Sequence, residues 1–208
     1  VLPRHLFLNL KPAFANELGV SRNFSTLTRV LVIVGSNASG KSFLRRYVQL
    51  TLKEKIEVIA LSHELRTQGN FSTALVYGDE SWQSTGAITA QTFLTGVKTM
   101  RERTKPHVVV WDEPEIGCSE ELQTGCANWL HKNLHPWPKF LQGLILLTHS
   151  RIWARRAMDY PHAKFLSLDG YRNVEDWLRR EVKPVDPETI TRLAGEKFQR
   201  LTKLLGRG

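Results

Sequence analysis

The chain has 208 residues, 41% hydrophobic and 24% charged, with 29 Lys and Arg against 20 Asp and Glu for a formal net charge of +9. That length supports one sizeable core rather than two, and the balance is that of a globular protein in water. No apolar run approaches the roughly 20 residues of a membrane-spanning helix, and the opening VLPRHLFLNLKP lacks a signal-peptide core and cleavage site, so a cytoplasmic protein with no membrane association is expected.

Residues 1–28 show no clean period and are read as an edge element leading into the first core strand. That strand, Arg29 to Val34, is apolar on both faces, as a central parallel strand is. From Lys41, the run SFLRRYVQLTLKEK sets Phe43, Leu44, Tyr47, Val48 and Leu52 at helical spacing. IEVIAL reads as a second strand, followed by a loop through Gln68. A helix is expected from about Ala87 to Arg103, with an apolar stripe of Ile88, Phe93, Leu94, Val97 and Met100.

HVVVWDE is then a buried strand ending in two acids, Glu120 to Leu134 an amphipathic helix, GLILLTHS another buried strand, and FLSLD a short one. Cys118 and Cys126 are read into the one helix, about two turns apart and beyond disulfide reach, so both are expected to be reduced. Strands alternating with helices imply an α/β fold with a mostly parallel sheet and function at the carboxyl ends of its strands. A first domain over 1–170 is expected, and then a helical C-terminal extension over 171–208. In that extension RNVEDWLRREVKP is a short helix, and Asp186-Pro187-Glu188 caps a last helix carrying Lys197, Arg200, Lys203 and Arg207. That basic face suits a polyanionic partner such as DNA, and it suits equally a solvated surface and compensation of the helix dipole.

Three segments carry chemistry. In Gly35-Ser36-Asn37-Ala38-Ser39-Gly40-Lys41-Ser42 the glycines let the backbone curl so that successive N–H groups point at a polyphosphate. Lys41 would reach the β and γ phosphates of ATP, and the Ser42 hydroxyl would ligate Mg²⁺. Asp112 ends the strand VVVWD, where a carboxylate can hold Mg²⁺ through its water shell, and Glu113 can polarise an attacking water. His149 ends LLTH, placed to bond the γ-phosphate or that water, or simply to serve as a structural hydrogen-bonder.

With GSNASGKS, VVVWDEPEIG and LLTHS in that order, the chain resembles the ATP-binding-cassette class of P-loop ATPases, and within it the soluble SMC-like and OLD-like proteins and stand-alone AAA-type ATPases. The resemblance covers about residues 29–170 and implies a three-layer P-loop sandwich, ATP and Mg²⁺ as cofactors, and a head-to-tail homodimer formed with ATP. It implies that Ser84 and Gly86, in Gln83-Ser84-Thr85-Gly86, stand in for the family's signature and face the γ-phosphate of a second subunit; Ser84 as a plain helix cap is the alternative. Gln68 is a candidate for the metal-sensing glutamine, with Gln83 in competition, and Phe14 and Phe24 are available upstream to stack on adenine. Only 41 residues separate Ser42 from Ser84, so a transporter-coupling insert is either small or missing, and with no sustained heptad there is no room for a long coiled coil. The expected activity is ATP hydrolysis coupled to DNA transactions in repair, replication or phage conflict. A nucleotide-gated scaffold that recruits a partner effector protein is the main alternative, and a small-molecule kinase the lesser one.

Overall fold

In the computed structural model of the protein, residues 28–53, 55–62, 85–182 and 184–204 are described. Gln68, Gln83, Ser84, Phe14 and Phe24 lie outside them. The elements in order are β1 (Val30–Val34), α1 (Lys41–Lys53), β2 (Glu57–Ser62), α2 (Thr85–Glu102), β3 (His107–Asp112), α3 (Glu120–Asn133), β4 (Leu141–Thr148), α4 (Arg151–Ala157), β5 (Lys164–Ser167), α5 (Val174–Arg179) and α6 (Pro187–Leu204). The five strands form one sheet in the order β2-β3-β4-β1-β5, and every pairing is parallel.

Strand alternation sorts the apolar residues into two cores, one on each side of the sheet. Val30, Val32, Val34, Val109, Trp111, Leu144 and Leu146 face α2, α3, α4 and α5. Leu31, Ile33, Val108, Val110, Ile145 and Leu147 face α1, and Leu201 of α6 joins that second cluster. The result is a three-layer α/β sandwich in which β1, between β4 and β5, is wholly buried. On the α2–α5 side, Phe93 stacks on Trp111 with ring centroids 5.4 Å apart, and Trp129 and Trp153 pack around them. That aromatic cluster fixes the end of β3 just before its two acids.

The edge element expected over 1–28 lies, but for Thr28, outside the described residues; the expected elements from β1 onward stand within a few residues of their observed bounds, with one addition. Helix α4 has no counterpart in the sequence reading, because seven residues with three arginines give too short a period to see. Its Ser150 cap accepts from the Trp153 N–H, and Trp153, Ala154 and Ala157 are buried. Cys118 precedes α3 rather than lying in it, ahead of the cap Ser119. Both cysteines are free, and burial pushes the Cys126 thiol up to about 11. The residue-170 boundary falls between β5 and α5, and α5 places Val174 and Trp177 in the first core. Asp186 caps α6 by accepting from the Thr189 N–H at 2.7 Å. Among the described residues, no helix is long and apolar enough to cross a membrane.

Candidate functional site

The strand order brings four strand tips to one edge of the sheet. Val34 pairs with Thr148 on one side and Ser167 on the other, and Asp112 pairs with Leu147, so the loops after β1, β3, β4 and β5 leave at one level. The GSNASGKS turn follows β1 and runs straight into α1. Its two glycines are required for different reasons. A Cβ on Gly35 would lie 2.3 Å from the Ser39 Oγ, and Gly40 sits at φ +102°, a backbone conformation side chains rarely adopt. Lys41, buried at the head of α1, donates from Nζ to the carbonyls of Gly35 at 2.8 Å and Ser36 at 3.1 Å, bracing the loop from inside.

Two acids leave β3 in different directions. Asp112 continues the alternation that turns Val108 and Val110 toward α1, and there Arg45 donates from Nη1 to its Oδ2 at 2.9 Å. Both side chains are nearly buried, at 7% and 11% exposed. Glu113 adopts φ +52°, a left-handed turn held by its N–H donating to the Leu147 carbonyl at 2.8 Å. That turn breaks the alternation and brings the Glu113 carboxylate within 3.8 Å of Lys41 Nζ and 3.4 Å of His149 Nδ1. Lys41 and Arg45 are one helical turn apart, so successive turns of α1 meet the two successive acids.

Lys41, Glu113 and His149 are therefore brought together directly, with Glu113 in the middle. A cleft of about 300 Å³ is lined by Ser36, Asn37, Ala38, Ser39, Gly40, Lys41 and Ser42 together with Glu113 and one face of α6. Asp112 and His149 are not in that lining; Asp112 is turned to Arg45, and His149 stands behind Glu113. Gly86, in the first turn of α2, lies against the loop after β3, where an added Cβ would meet the Gly117 carbonyl oxygen at 3.5 Å. It is not among the residues lining the cleft of its own chain.

Three side chains that sequence reading passed over complete the site. The buried Glu115 carboxylate accepts from the Thr148 hydroxyl at 2.8 Å and the His149 N–H at 2.9 Å, tying the tip of β4 to the loop after β3. Asp169, after β5, accepts from the Ser36 N–H and Ser36 hydroxyl, both at 2.9 Å at their closest, and so anchors the entry to the phosphate turn. The third is Arg45. Its signal was legible as a cation four residues after Lys41; Glu115 and Asp169 announce themselves only by proximity.

The His149 contact holds the Glu113 carboxyl below its usual value of 4.5, with the Lys41 charge adding to the effect against burial. The same contact raises His149 above 6.5, with the Glu115 charge assisting. Hence the pair's contribution to stability is complete between about pH 4.5 and 6.5 and is lost as pH rises through the raised histidine value. On the acid side it is lost as pH falls through the lowered glutamate value. The stability difference between the wild type and His149→Gln, followed by urea unfolding, should thus be widest in the mildly acidic range and shrink toward alkaline pH. A difference independent of pH would show that the pair is not ionic.

A resident Mg²⁺ can be tested against the donors present. Mg²⁺ takes one or two protein oxygens and completes its shell with water and phosphate rather than a protein cage. Of the two oxygens expected to hold it, the Ser42 hydroxyl lies in the lining of the cleft, while the Asp112 carboxylate is paired with Arg45 outside that lining, at the neighbouring end of β3. Among the described residues no cluster of three or more His, Cys, Asp or Glu forms a metal cage.

No protein-family model matches the chain, and no curated protein matches it. Among solved structures, the chain is similar to AMPPCP-bound DnaA from Aquifex aeolicus at 14% identity, over 93% of this chain and 61% of that one, with a TM-score of 0.40. The chain thus spans less than two thirds of that protein's length.

Proposed function

We propose that the protein is a Mg²⁺-dependent ATPase of the kind its three motif segments resemble, the soluble branch of the ATP-binding-cassette class. The observation that carries this reading is the position of Glu113, one carboxylate between Lys41 of the phosphate turn and His149 of the neighbouring strand tip, on the rim of the cleft. The backbone N–H groups of Asn37 to Ser42 and the positive end of α1 bind the polyphosphate, and Lys41 shifts from its two carbonyls to the anion. Ser42 and Asp112 would hold Mg²⁺, whose charge would neutralise phosphate oxygens. Glu113, ionised at neutral pH, accepts the proton of the attacking water, and His149 orients Glu113 and takes up the change in charge. Glu115 acts through His149 and is a positioning residue. Lys41→Ala should abolish ATP binding measured by calorimetry in Mg²⁺ buffer; unchanged affinity would remove the phosphate turn from the function.

In this reading Ser84 and Gly86 serve the γ-phosphate of a second subunit, and ATP brings two copies together. The net charge of +9 supports work on DNA. Affinity for a labelled duplex should then fall steeply as salt rises; no binding at low salt would leave the charge as a solvated surface.

A further inference from the structure

The cleft over the phosphate turn has a second wall that the motif chemistry does not use. Ala194, Lys197, Phe198 and Leu201 of α6 line it, and their spacing of three, four and seven residues puts them on one face of the helix. At one end of this face Leu201 is 4% exposed and packed into the apolar cluster beneath α1, so α6 is seated there. One turn earlier on the same face, Phe198 is 70% exposed. A lone exposed aromatic is ordinary, but a phenyl ring on the packing face of an anchored helix is not, and what lies beneath it is the cleft. An occupant that satisfies both walls must be polyanionic where it meets the backbone N–H groups and planar and apolar where it meets Phe198.

We propose that α6 is the base-binding wall of the site, with Phe198 stacking on the nucleobase of a nucleoside triphosphate and Lys197 facing its phosphates. This inference rests on the nucleotide-binding reading above. It assigns base recognition to the C-terminal helix rather than to an aromatic ahead of the phosphate turn. The occupied cleft buries the ring that is otherwise left in water, so nucleotide binding and the seating of α6 reinforce each other.

The test compares ATP with inorganic tripolyphosphate, which carries the anion without the base, on the full chain by calorimetry in Mg²⁺ buffer. The wild type should bind ATP more tightly than tripolyphosphate. Phe198→Ala should weaken ATP about tenfold, a typical loss for one base–aromatic stack, and leave tripolyphosphate unchanged. Phe198→Trp should retain ATP affinity. Lys197→Ala should weaken both ligands several-fold, less so at high salt. Wild-type ATP affinity in Phe198→Ala, or an equal loss for both ligands, would overturn the stacking role while leaving nucleotide binding intact. A wild type that binds neither ligand would overturn the nucleotide reading and this inference with it.

Discussion

Glu113→Gln should lower the turnover of ATP by about 10²-fold or more while leaving ATP affinity within a few-fold of the wild type. Removing a positioned general base typically costs about 10² to 10⁴ in rate, and 10² corresponds to about 2.7 kcal/mol of barrier. Affinity is spared because the cradle is made of backbone N–H groups and Lys41, neither of which the amide alters, and because glutamine keeps the length and shape of the side chain. It also removes a negative charge 3.8 Å from Lys41, which favours an incoming anion. A slow variant that retains ATP should accumulate as the ATP-bound dimer, so light scattering with and without ATP tests subunit sharing in the same protein. Turnover equal to the wild type would take Glu113 out of the mechanism, and a monomer in saturating ATP would remove the trans role of Ser84 and Gly86. A wild type that consumes a single equivalent of ATP per site and then stops would favour the scaffold alternative.

Arg45→Ala should destabilise the protein by about 3–5 kcal/mol, a large share of the roughly 5–15 kcal/mol that a domain possesses. The size follows from burial. With the two side chains 7% and 11% exposed, removing the guanidinium takes a charge partner from a carboxylate that water scarcely reaches. The cost is mainly that of a buried carboxylate whose charge is less well compensated and not the worth of the pair, so Arg45→Met combined with Asp112→Leu should recover most of it. Urea unfolding of the two variants measures both effects. A loss below about 1 kcal/mol for Arg45→Ala would mean that water reaches Asp112 and that the pair behaves like a surface ion pair. The result bears on function as well, because Arg45 orients the carboxylate assigned to Mg²⁺.

The layered fold was legible because its signals are local. Runs such as VLVIV, HVVVW and LILLT are apolar on both faces, which requires a strand buried between two helical layers, and helical periods separate them. The phosphate turn was legible for the same reason: eight contiguous residues carry its geometry, and each glycine has its own steric requirement. The short helix α4 was missed because its signal is one cap and three small or aromatic contacts, less than a period.

What only the tertiary structure decided is which side chain meets which. The residues Asp112 and Glu113 are neighbours in sequence, yet one turns to Arg45 and the other to Lys41 and His149, because a left-handed turn at Glu113 interrupts the alternation of β3. Glu115 and Asp169 became part of the site through the order β3-β4-β1-β5, which sets distant loops side by side. The basic last helix suits DNA, a solvated surface or dipole compensation equally when read in sequence; that one of its faces lines the cleft over the phosphate turn follows only from the docking of Leu201 beside α1. Composition and spacing determine strands, turns and the chemical character of each group; contacts between residues more than a hundred positions apart depend on how the layers close, and no local pattern carries that information.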